Sequence, residues 1–105
     1  MTDSQRQTLL RLAREAILSR FDHSTVELPS DSAFQARRGL FVTLHLDGDL
    51  RGCIGMIEAR RSIAEEVAEM ARAAAFNDPR FPPLRRQELE QFQLEISMLS
   101  EMTPV

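Results

Sequence analysis

The apolar pattern of the chain predicts an α+β fold, a small antiparallel sheet with helices packed on it. Three observations carry that reading. Two apolar runs, residues 40–46 and 50–57, flank the short loop Asp47-Gly48-Asp49 and read as a β-hairpin. Two stretches, residues 4–21 and 62–76, repeat apolar side chains at helical spacing. Residues 92–99 alternate apolar and polar side chains, as a strand with one buried face does.

The first helix is expected to start at Ser4, which with Gln7 makes a capping box. Leu9, Leu10, Ala13, Ala16 and Ile17 form its apolar stripe, and Phe21 closes it. Such a stripe usually faces a core. Residues 22–38 are weakly patterned. Pro29 and a Ser/Asp cluster punctuate them, Val26-Glu27-Leu28 reads as a short strand, and residues 32–38 read as a helical turn.

In the hairpin, two rules disagree about register. A two-residue loop, Asp47-Gly48, suits a type I′ turn but sets Leu44 opposite Arg51 and Leu46 opposite Asp49. A three-residue loop pairs Leu46 with Leu50, Leu44 with Gly52, Val42 with Ile54 and Leu40 with Met56. It collects the apolar side chains on one face and leaves Phe41, Thr43 and His45 across from Gly55, Cys53 and Arg51. Misplacing several core side chains costs more than a less favoured turn, so the three-residue loop is expected.

Ser62 and Glu65 make a second capping box. Ile63, Val67, Met70, Ala71 and Ala74 share one face, while Glu65, Glu66, Glu69 and Arg72 fall mainly on a solvated side. Asn77 suits a left-handed cap and Pro79 bars continuation, so the helix is expected to stop near Phe76. Residues 77–83 form an irregular loop and residues 84–89 a short helix. In the last strand Phe92, Leu94, Ile96 and Met98 face inward.

Three places carry candidate chemistry. Cys53 reads either as a thiolate nucleophile or ligand, supported by Arg51 and with His45 as a base, or as a small buried apolar residue. No second cysteine and no His/Cys spacing supports a metal site, and no cofactor is expected. Arg51 with Gly52 and Gly55 reads either as exposed backbone N–H groups beside a guanidinium, able to hold a phosphate or carboxylate, or as a bulged strand whose arginine pairs with an acid. The run Asp78-Pro79-Arg80-Phe81-Pro82-Pro83 reads either as a rigid loop presenting its side chains, or as a crossing in which Phe81 plugs the core and Asp78 bonds its own backbone. His23 lies in a turn and carries no signal.

The stretch Leu50-Arg51-Gly52-Cys53-Ile54-Gly55 resembles the signature of the AMMECR domain family, which also appears in bacteria as AmmeMemoRadiSam system protein A. Further matches lie at residues 39–44, 74–84 and 94–100. The resemblance implies a binding or adaptor module in a pathway with Memo-like and radical-SAM proteins. It also implies a cleft lined by the LRGCIG strand and the DPRFPP loop, with Arg51, Gly52, Cys53, Gly55, Asp78 and Arg80 as binding residues. The alternative is an enzyme using Cys53 as nucleophile with Arg51 as support. Family domains run on past this point, so the chain is expected to be a single AMMECR-like domain without the family's C-terminal part.

Bulk composition narrows the rest. A chain of 105 residues fits one domain with a modest core. The net charge of −3 gives no nucleic-acid footprint. All 13 basic residues are arginine, which reads either as selection for guanidinium chemistry or as a codon bias toward G and C, the second being the expected cause. One cysteine excludes an internal disulfide and fits a reducing, cytoplasmic compartment. No signal peptide or spanning segment is read, and no membrane association is expected. The strand at residues 92–99 is expected to form a bare sheet edge that pairs in a homodimer.

Overall fold

The structure is a computed structural model that describes residues 1–99. Ser100, the last residue of the fourth family-like stretch, lies outside the described residues. Helix α1 spans Asp3–Asp22, strand β1 Leu40–Leu46, strand β2 Asp49–Met56, helix α2 Ile63–Phe76 and strand β3 Phe92–Met98. The strands form one antiparallel sheet in the order β2-β1-β3. Helix α2 packs on β1 and β2, and α1 packs on α2 and reaches β3. The fold is therefore the expected α+β sandwich of helices on a small sheet.

The hairpin satisfies both register rules at once. Asp47 and Gly48 have φ of 53° and 85°, the paired positive values of a type I′ loop. Near the tip Leu46 pairs with Asp49 and His45 with Leu50. The ladder then shifts between Leu44 and His45, and below it Leu44 pairs with Gly52, Val42 with Ile54 and Leu40 with Met56. Arg51 is the extra residue of a β-bulge. The expected three-residue loop is thus corrected to a two-residue turn plus a bulge, and His45 faces Leu50 rather than Arg51.

Leu40, Val42 and Leu44 are buried beneath the helices, with Ile54, Met56, Leu94, Ile96 and Met98 packed around them. Helix α1 contributes Leu9, Leu12, Ala13, Ala16 and Ile17, and α2 contributes Ile63, Val67, Met70 and Ala71. Alanines at many of the buried helix positions let the helices come close to each other and to the sheet. From the linkers, Phe34 and Leu84 complete the core. Leu84 fills the role expected of Phe81, which stays half-exposed beneath the Arg80 guanidinium. No helix among the described residues is long and apolar enough to cross a membrane.

Several boundaries differ from expectation for local reasons. Thr2, not Ser4, caps α1, and the capping box is Thr2 with Gln5. Asn77 closes α2 with φ −126°, so it is not left-handed, whereas His23 ends α1 at φ 58°. Val26-Glu27-Leu28 forms no strand. Residues 32–34 and 86–88 are single 3-10 turns. Strands β2 and β3 stop at Met56 and Met98, one residue short of the expected 57 and 99. The Ser62–Glu65 capping box and the helix end at Phe76 are as expected.

Candidate functional site

Among the described residues both helices pack on one side of the sheet and no helix covers its other face. Across that face, Cys53 of β2, Thr43 of β1 and Glu95 of β3 stand in one row. The Cys53 sulfur is 3.2 Å from the Thr43 hydroxyl and half-buried. His45 lies toward the hairpin tip, in register with Leu50 and Gln93, two residues along from Thr43. The alternation of strand side chains makes this row legible from the register alone.

The outer edge of β2 is closed by the crossing loop. The Cys53 N–H donates to Asp78 Oδ2 at 3.0 Å, and Arg80 Nη2 reaches the Cys53 carbonyl at 3.4 Å. Arg80 also donates to Asp78 through Nη2 at 2.8 Å and Nε at 3.1 Å, while its backbone N–H bonds Asp78 Oδ1 at 3.0 Å. The loop therefore offers the strand an acceptor and a donor where a neighbouring strand would do so. Asp78 is buried, and the Arg80 guanidinium, then the Cys53 N–H, hold its carboxyl well below the usual carboxylate range.

Arg51, displaced by the bulge, turns to the same loop. Its Nε and Nη2 grip Glu88 at 3.0 and 3.2 Å, and Nη2 also donates to the Pro83 carbonyl at 3.3 Å. Glu88 accepts the Arg85 N–H at 2.9 Å as well. The Arg51 guanidinium lowers the Glu88 pKa, helped by that N–H. Arg51 Nη1 is buried without a hydrogen-bond partner among the described residues.

The strand glycines serve packing. A Cβ on Gly52 would collide with the Ala74 carbonyl of α2, and one on Gly55 would collide with the Phe41 ring. The close approach signalled by Gly52 is thus a helix backbone, not a ligand. Strand and loop also touch directly. A hollow of about 510 Å³ lies elsewhere, between α1 and β3.

Of the residues singled out from sequence, Arg51, Gly52, Cys53, Asp78 and Arg80 come together around the outer edge of β2, with Gly55 two residues further along. Glu88 and Glu66 were not anticipated. Glu88 stands 37 residues from Arg51, and no local pattern links them. Glu66, expected on a solvated side, is 0% exposed, and neither carboxyl oxygen has a partner among the described residues. Among those residues no group of three His, Cys, Asp or Glu side chains is placed to hold a metal ion.

Chemically, the arrangement is a braced edge strand beside an open sheet face that carries one thiol. That defines a small α+β domain whose Gly-Cys strand is locked to a proline-rich crossing loop. The family model described as AMMECR1 matches residues 10–105, and the chain belongs to that family. A protein of Methanothermobacter thermautotrophicus is 41% identical over 102 residues, covering 94% of this chain and 53% of the relative. One of Methanopyrus kandleri is 39% identical, covering 95% of this chain and 51% of its own length. In solved structures, the crystal structure of the uncharacterized protein PH0010 from Pyrococcus horikoshii matches with a TM-score of 0.86 at 32% identity. That match covers 95% of this chain and 53% of the other. The chain spans about half the length of the curated relatives it matches.

Proposed function

We propose that this domain is a binding or adaptor module that works in the cytoplasm beside Memo-like and radical-SAM proteins. Its contact surface is the open sheet face around Cys53, framed by the Asp78–Arg80 brace. The supporting observation is that the motif's charges are matched within the chain, Arg51 by Glu88 and Asp78 by Arg80 and the Cys53 N–H. Groups engaged in this way hold shape, and they would have to be released before gripping a substrate. The Cys53 sulfur meets a hydroxyl rather than an imidazole or carboxylate, which gives less to the rival reading of a Cys53 nucleophile with Arg51 support.

The test passes purified Memo-like and radical-SAM proteins over the immobilised domain and over its Thr43→Arg variant. Thr43 lies at the centre of the open face, and circular dichroism checks that the variant folds. Retention by the wild type and loss with the variant are expected, and retention of neither protein sinks the reading. Thiol reactivity followed across pH separates the rival, because a thiolate persisting far below the ordinary thiol range shifts the weight to an enzyme.

A further inference from the structure

We draw no further inference here: the strongest candidate, the buried Glu66 carboxyl of α2, meets no partner and joins no ligand-holding cluster among the described residues, so nothing in the structure shows what it would bind.

Discussion

At Gly52 the sheet and α2 come so close that a methyl group cannot enter. Gly52→Ala must push α2 off the strand, and since a backbone carbonyl is the obstacle, the cost should reach about 3 kcal/mol. Gly48 is the control. It has φ 85° and nothing within 4 Å of a would-be Cβ, so Gly48→Ala should cost only about 1 kcal/mol of backbone strain. Urea unfolding of both variants checks this, and equal losses would refute the crowding argument. The sequence announced a close approach at Gly52 but not what approaches, because Ala74 arrives only through the tertiary fold. Glu66 was illegible for the same reason. Its helix face looked polar in projection, yet the surrounding packing closes over it. With both carboxyl oxygens buried and without a partner among the described residues, Glu66→Met should raise stability by about 1–3 kcal/mol, read as a higher urea midpoint.

Elements are positioned by local chemistry that the sequence states almost in full, with ambiguity at the ends. Helix α1 was expected to be capped by Ser4, and periodicity alone does not fix a cap to within two residues. The structure chooses Thr2, whose hydroxyl accepts the Gln5 N–H at 3.1 Å while the Gln5 side chain accepts the Thr2 N–H at 2.9 Å. Thr2→Ala should therefore cost about 1 kcal/mol and Ser4→Ala only about a few tenths. The two thermal unfolding curves decide this, and the reverse order would restore Ser4 as the cap. The hairpin shows a different limit. Turn chemistry and face pattern each predicted part of the register, and treating them as exclusive was the error. A bulge at Arg51 lets both hold, and it also aims that arginine at Glu88. Residues 26–28 had strand-like composition but no neighbouring strand, and composition alone makes no ladder.

For the whole molecule, the crossing loop is tied to the sheet by two carboxylates, and this tie sets an acid limit on stability. Asp78 bonds the Cys53 N–H and Arg80, and Glu88 bonds Arg51 and the Arg85 N–H. Both groups titrate below their ordinary values in the folded chain, Asp78 most of all. A depressed carboxylate pKa adds stability that is complete above the unfolded-state value, near pH 4, and is lost as pH falls through the folded value. Protonation of the acids is what breaks the tie. Between pH 7 and about pH 5 the urea midpoint should therefore hardly respond to these two groups. Below about pH 4 it should fall steadily, because the unfolded chain then binds protons that the folded chain still refuses. Asp78→Asn removes the more strongly shifted acid. The variant should start less stable at neutral pH by about 2 kcal/mol, for the lost charge-assisted bonds, and should fall less steeply in acid. Urea midpoints of both proteins at intervals from pH 7 to pH 2 provide the comparison. Parallel curves for wild type and variant would show that the Asp78 tie does not carry the acid response.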